Sequence, residues 1–247
     1  CRSCSWRVFA VTPYLAYARQ DKPTKRRGAV KTRYVAALLE AVGADGVMAL
    51  EVHNPAAFQN AHRGRAYTLD TRRLFARHAR AYAADGPVAV VSPDPGGVKR
   101  AQGLQETLQA RWGQDIGMAF VEKRRSAGVV TGSALVGEVA GATALVVDDL
   151  ISTGGTVVRA AQACRERGAR AVYALAAHGL FVGEAAEAVR DPRLAKVAVT
   201  DTVPPSRLAP AVVREHVDVV SAAPLFAEAI RRVHEGGSLT DLLGGPA

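Results

Sequence analysis

The chain has 247 residues, 49% of them hydrophobic, enough to bury a sizeable core in one large domain or two small ones, which excludes a disordered chain. Its 32 Lys and Arg against 23 Asp and Glu leave a net charge of +9, which favours anionic partners. Yet the basic residues are spread along the chain and do not interleave with the six Tyr, six Phe and two Trp as in proteins that stack nucleic-acid bases. No apolar run approaches the roughly 18 to 20 residues of a membrane span and no signal-peptide arrangement opens the sequence, so the expected compartment is the cytoplasm, with neither membrane nor nucleic acid as a partner. Three cysteines, a CxxC at Cys1 and Cys4 plus Cys164, are too few for a four-thiolate zinc site or a disulfide framework.

In chain order, an apolar strand leads into a polar loop holding Arg19, Gln20, Asp21 and Lys22. Val35, Leu38, Leu39 and Val42 mark one helix face, and residues 46–52 read as a strand with His53 just past its end. The basic, polar stretch from Asn60 to Arg73 breaks the periodicity and marks a domain boundary or an elaborated loop, dividing the chain into 1–70 and 71–247. Beyond it come a helix at 74–82, a strand at 87–91, the turn holding Asp94, Gly96 and Gly97, and a helix marked by Val98, Ala101, Leu104 and Leu108. Further strands are predicted at 117–122, 134–139, 144–148, 171–176, 196–200 and 217–220, with helices at 156–167, 183–190 and 224–234. The alternation predicts an α/β fold with mainly parallel sheets flanked by helices.

The segment from Ala144 to Ala161 carries the clearest chemistry. A short apolar run ends in Asp148 and Asp149, at the carboxyl end of a strand, where open α/β sheets take ligands. Ser152, Thr153, Gly154, Gly155 and Thr156 follow and open a helix. Amides at a helix N-terminus, unobstructed at the glycines, receive a phosphate dianion, while the two carboxylates accept from vicinal sugar hydroxyls. A phosphorylated sugar satisfies both halves. Asp, Gly and Thr also punctuate ordinary strand-turn-helix junctions, and turn chemistry alone is the alternative reading of Asp94 before Pro95-Gly96-Gly97. An acidic pair, hydroxyls and two glycines in this order is a richer signal than either. His62, His78, His178, His216 and His234 have no comparable context and read as structural.

The 148–156 segment resembles the ribose-phosphate loop of the phosphoribosyltransferase fold. Together with YARQDK at 17–22, LEVHNP at 50–55, VSPDPGG at 91–97, EKRR at 122–125, AAHGLF at 176–181, VTDTVP at 199–204 and the closing AIRRVHEGGSLTDLL, it resembles the ribose-phosphate pyrophosphokinase family over essentially the whole chain. The resemblance implies two phosphoribosyltransferase-like domains, of which the first lacks its opening part. It also implies ATP and ribose 5-phosphate as substrates, magnesium as cofactor, and a homo-oligomer whose neighbouring subunit completes a site between the domains. In these terms Arg19, Gln20, Asp21, Lys22 and His53 hold ATP, and His53 and Asp94 approach its magnesium. Asp94, Gly96 and Gly97 take the diphosphate. Lys123 and Arg125 act from a mobile catalytic loop, and His53 is the third catalytic residue. Asp148 and Asp149 hold the sugar hydroxyls, and Ser152 to Thr156 the 5-phosphate. Two further features depart from the family: Glu51 stands where an aspartate is usual, two residues before His53, and NAHRGRAYTLDTRR replaces a more apolar connection. A regulatory homologue that binds phosphoribosyl ligands within an oligomer is the second reading. A transferase that consumes 5-phosphoribosyl 1-diphosphate shares the 148–156 loop but leaves ARQD and His53 unexplained.

Overall fold

A computed structural model of the chain describes residues 7–23, 25–83, 86–126 and 129–243, the side chains of 123–133 excepted. The CxxC at Cys1 and Cys4 therefore lies outside the described residues, while Cys164 is buried. The chain divides into two compact units at Thr71 and Arg72. No helix among the described residues is long and apolar enough to cross a membrane.

In the first unit, β1 (Phe9–Thr12), β2 (Gly46–Leu50) and β3 (Arg65–Leu69) form a parallel sheet in that order. The central β2 is buried along its whole length, as its unbroken apolar run predicts. Gly46 opens it because a Cβ there would stand 2.4 Å from the Phe9 ring and 2.8 Å from the Arg65 carbonyl oxygen. Helix α1 (Lys31–Ala41) packs Val35 and Leu39 on the cluster of Leu15, Val47, Ala49, Val52 and Phe58. Leu38 and Val42, expected on the same face, are 67% and 82% exposed. At 100° per residue the buried face runs through Thr32, Val35, Ala36 and Leu39, and Val42 lies past the helix end. The stretch from Asn60 onward, read as irregular, holds β3, preceded by the short helix α2 (Pro55–Ala61). As an edge strand with Arg65 exposed, β3 needs no apolar run.

In the second unit a seven-stranded sheet is built, among the described residues, from β4 (Val88–Ser92), β5 (Ile116–Ser126), β6 (Val129–Gly137), β7 (Thr143–Ile151), β8 (Ala171–Gly179), β9 (Lys196–Thr200) and β10 (Val217–Val220). Its order is β10-β9-β8-β7-β4-β5-β6, parallel throughout except for the β5–β6 pair. From β4 the chain passes through α4 (Val98–Trp112) to β5 on one side, and from β7 through α5 (Gly155–Glu166) to β8 on the other. The strand order therefore reverses between β4 and β7. One sheet face packs Ala89, Val91, Ala144, Val146 and Val172 on Val157, Ala160, Ala161 and Cys164 of α5. On α4, Ala101, Leu104 and Leu108 form the buried stripe.

Helix α3 (Arg72–His78) and the short 3-10 turn after it are tied to the sheet by one polar cluster. Tyr82 stacks on Tyr173 at 4.1 Å with the rings 8° apart, and its hydroxyl donates to Asp218, whose other oxygen accepts from Lys196 Nζ at 2.8 Å. Burial, and then the hydrogen bond to Asp218, push the Tyr82 phenol far above its ordinary range, so it stays a donor. Leu145, near the start of β7, is fully buried. Leu145→Ala should cost about 2 to 5 kcal/mol of unfolding free energy, read as a lowered midpoint in urea with an unchanged slope.

Candidate functional site

The reversal of strand order leaves two loops with no helix crossing between them, the condition under which open α/β sheets form a ligand crevice at their carboxyl edge. The first loop follows β4. Ser92 Oγ donates to the Asp94 carbonyl at 2.6 Å, and Asp94 Oδ1 accepts the Gly97 amide at 3.1 Å, so the aspartate caps the short 3-10 turn at Pro95–Gly97. Gly97 has no room for a side chain: its Cβ would lie 2.7 Å from Ser92 Oγ.

The second loop follows β7. The strand reaches Ile151, so Asp148 and Asp149 lie within it and not past its end, but pairing with β4 stops at Val146 and both carboxylates stand beyond that neighbour. Continued pairing with β8, Asp148 opposite Ala176 and Leu150 opposite His178, is what keeps the segment extended. Asp148 Oδ1 accepts the Asp149 amide at 2.8 Å and Asp149 Oδ1 accepts the Leu150 amide at 3.0 Å, with Asp149 buried. Burial, then the hydrogen bond and negative charge of Asp149, push the Asp148 carboxyl up to about 7, against the Asp149 amide and the Arg100 guanidinium.

Past the pair, Gly154 takes φ +84°, and a Cβ there would meet the Ala188 methyl at 2.4 Å. Gly155, the first residue of α5, has ordinary room at 3.4 Å from Arg159 Nη1. The conformational demand thus falls on Gly154. Val158 donates to the Gly154 carbonyl at 3.0 Å and α5 has no side-chain cap, so the amides of Gly155, Thr156 and Val157 make an anion-receptive helix end. The turn is braced from behind: the Ile151 carbonyl accepts Leu180 N at 2.9 Å and the Ser152 carbonyl accepts Val182 N at 3.0 Å. Thr153 is exposed, and Thr156 Oγ1 accepts from Arg159 Nη2 at 3.3 Å.

Two cations here escaped sequence reading. Arg100 Nη1 lies 3.8 Å from Asp148 Oδ1, linking the first loop's helix to the second loop, and Arg159 reaches back over Thr156. Arg100 stands in the first turn of its helix, where the dipole disfavours cations, and that placement was a signal available in the sequence.

The basic segment at 122–125, expected to end a strand before a mobile loop, has its backbone inside β5, paired to β6 through Lys123 opposite Ser133 and Arg125 opposite Val130. Strand pairing sustains extended structure where no apolar alternation announces it. Phe120 is level with Ser92, the last residue of β4, so Val121 to Ser126 project about 20 Å beyond that strand. The side chains of Lys123 and Arg125 lie outside the described residues.

In the first unit, the loop after β1 and the loop after β2 meet at the carboxyl edge of its sheet. Asn54 Nδ2 donates to Asp21 Oδ2 at 2.8 Å, while Asn54 Oδ1 caps α2 by accepting Ala57 N at 3.1 Å. Asp21 is therefore tethered to the residue that follows the exposed His53. Gln20 is held through its backbone, donating to the Tyr17 carbonyl at 2.9 Å and accepting from Thr32 N at 3.3 Å; Arg19 and Lys22 are exposed. Tyr17 and Glu51 take φ of +66° and +42°, costly conformations for side-chain-bearing residues that bracket these loops. Glu51 Oε1 accepts both Thr71 N and Thr71 Oγ1 at 3.0 Å, so the carboxylate that departs from the family pattern closes the end of the unit.

The second unit matches, over residues 129–244, the family model of the phosphoribosyl synthetase-associated domain, and residues 1–43 match the N-terminal domain of ribose phosphate pyrophosphokinase. A ribose-phosphate pyrophosphokinase of Caldanaerobacter subterraneus subsp. tengcongensis is 38% identical over 98% of this chain and 73% of its own length. Ribose-phosphate pyrophosphokinase 4 of Saccharomyces cerevisiae is 35% identical over 98% of this chain and 71% of its own. The crystal structure of phosphoribosylpyrophosphate synthetase from Mycobacterium smegmatis superposes with a TM-score of 0.83 at 33% identity, covering 96% of this chain and 74% of that one. With similarity of this extent in both sequence and fold, the chain belongs to the ribose-phosphate pyrophosphokinase family of enzymes.

Proposed function

We propose that this chain transfers the diphosphoryl group of ATP to the C1 hydroxyl of ribose 5-phosphate, giving 5-phosphoribosyl 1-diphosphate and AMP. The observation that carries the reading is the carboxyl edge of the second unit, where an acidic pair stands beside the uncapped start of α5 and next to the Asp94–Gly97 turn. That set suits a ligand with vicinal hydroxyls and a terminal phosphate. Asp148 and Asp149 accept from the sugar hydroxyls, Ser152 to Thr156 receive the 5-phosphate, and Asp94, Gly96 and Gly97 receive the diphosphate. The nucleotide is assigned to the first unit, through Arg19, Gln20, Asp21, Lys22 and His53.

In the reaction the C1 oxygen bonds to the β-phosphorus of ATP as the bond from that phosphorus to the α,β-bridging oxygen breaks, and AMP leaves. Charge builds on oxygens already crowded with it, so positioning and cations supply most of the rate. Lys123 and Arg125 are the cations assigned to that charge. Among the described residues no three His, Cys, Asp or Glu side chains gather as a metal cage, so magnesium would draw most of its ligands from phosphates and water. Asp94 would offer the kind of carboxylate oxygen that magnesium prefers, whereas the His53 imidazole is a ligand better suited to softer metals. Bound there, magnesium would neutralise phosphate charge. The apolar row of Tyr34, Leu38 and Val42 on α1 and beyond it, 63%, 67% and 82% exposed at four-residue spacing, supports a homo-oligomer.

A coupled assay should show AMP formed from ATP only when magnesium and ribose 5-phosphate are both present. Binding of the sugar phosphate with no AMP would favour the regulatory reading. In an active parent, Lys123→Ala should lower kcat on the order of 10² to 10³ with little change in KM for ribose 5-phosphate. An unchanged kcat would remove Lys123 from the catalytic role. For the sugar site, Asp149→Ala and Gly154→Val should each weaken ribose 5-phosphate binding in calorimetry, and retention of full affinity by both would sink the assignment.

The raised Asp148 carboxyl adds a prediction of opposite sign on stability. A carboxyl whose folded pKa lies above its unfolded one penalises folding as pH rises between the two values, and not below both. Asp148→Asn should therefore raise Tm of the ligand-free protein at about pH 8 but not at about pH 3.5, while weakening ribose 5-phosphate binding. Equal Tm changes at the two pH values would contradict it.

A further inference from the structure

The first turn of α4 holds two cations, Lys99 and Arg100, and no acid, although a helix start favours negative charge. Arg100 is therefore not placed for the sake of its helix. Its guanidinium extends toward the neighbouring loop and stands 3.8 Å from Asp148 Oδ1, with the two side chains only 17% and 19% exposed. The same Nη1 lies 3.7 Å from where a Gly97 Cβ would be, so it occupies the gap between the Asp94–Gly97 turn and the acidic pair. Asp148 and Asp149 repel one another, and among the described residues Asp149 and Arg100 are the charged groups acting on Asp148. An ionised carboxylate accepts through both oxygens, whereas a protonated one turns one oxygen into a donor and keeps less acceptor capacity for vicinal sugar hydroxyls.

From this geometry we infer that Arg100 is a positioning residue for the sugar site, a cation from the diphosphate-side helix that holds Asp148 ready to accept the vicinal hydroxyls. Arg100 acts through Asp148 and so couples the two loops of the crevice. The inference rests on the assignment of ribose 5-phosphate to the Asp148–Asp149 pair.

The test is a double-variant cycle on the full chain, with ribose 5-phosphate titrated calorimetrically into the parent, Arg100→Gln, Asp148→Asn and the double variant. Removing the guanidinium should weaken binding about fivefold near pH 7 and approach tenfold well below it, the change expected from about one pKa unit of lost support for the carboxylate. In the Asp148→Asn background the same change should cost less than about twofold. The loss in Arg100→Gln should be larger at about pH 6 than at about pH 9, where Asp148 is ionised without help, and Arg100→Lys should restore part of the affinity. Equal losses in both backgrounds, a loss independent of pH, or no loss would overturn the role given to Arg100. If Arg100→Gln does not fold, Arg100→Lys takes its place in the cycle, with a smaller loss that must still vanish in the Asp148→Asn background. A parent that takes up no ribose 5-phosphate overturns the sugar-site assignment and this inference with it, whereas a parent that binds while Arg100→Gln is unaffected overturns the inference alone.

Discussion

Four backbone pairings, Val88 to Val91 against Thr143 to Val146, hold β4 beside β7, and the arrangement at the carboxyl edge depends on them. The two strands are separated by fifty residues of chain, so their contact is a product of tertiary folding and not of local preference. Because α4 leaves to one side and α5 to the other, the loops above them diverge and expose a gap between neighbouring strands. Register matters as much as adjacency. Ala89, Val91, Ala144 and Val146 fill the α5 face, and a one-residue slip of β7 would exchange its two faces and carry the acidic pair away from Arg100.

Within that frame the acidic pair is held against its own repulsion. Asp149 is buried and Asp148 half-buried, yet each accepts a backbone amide, an arrangement that satisfies oxygens without cancelling charge. Arg100 offsets only part, because at 3.8 Å it makes an ion pair and not a close hydrogen bond. A site that stabilised its carboxylates fully would leave a sugar hydroxyl little to gain. The crevice is thus a region where local stability is given up, and under the proposed roles sugar binding restores it.

Much of the second unit could be read from sequence because buried parallel strands are continuous apolar runs and α5 follows its turn without interruption. Gly154 and Gly155 were both visible there, but which one the backbone requires depends on Ala188, a residue of α6 (Ala185–Val189) that no local pattern links to the turn. Strand β3 was hidden by its edge position, and the continuation of β5 from Lys123 to Ser126 by its charge, since β5 and β6 stay extended there through mutual hydrogen bonding and not through alternation. Arg100 was missed for a different reason. Its sequence neighbours say only that a cation begins a helix, and the partner that explains it is 48 residues away on another strand.

The two crevice loops repeat one sequence theme, a buried strand, aspartate, paired glycines and a helix, but they resolve it in opposite ways. After β4 the aspartate turns back on its own loop, and Asp94 Oδ1 takes the Gly97 amide. A donor that would otherwise greet an anion is already engaged. After β7 the aspartates stay upstream, bonding to amides within the strand, and the start of α5 carries no side-chain cap. Its amides are the free donors of a helix end. Under the proposed roles, the 5-phosphate is met by main chain, which is rigid and indifferent to protonation, while the diphosphate side has to rely on cationic side chains to supply what its engaged amide cannot. That division accords with the chemistry each group undergoes: the 5-phosphate is an unchanging anchor, and the diphosphate is the group that moves and changes charge.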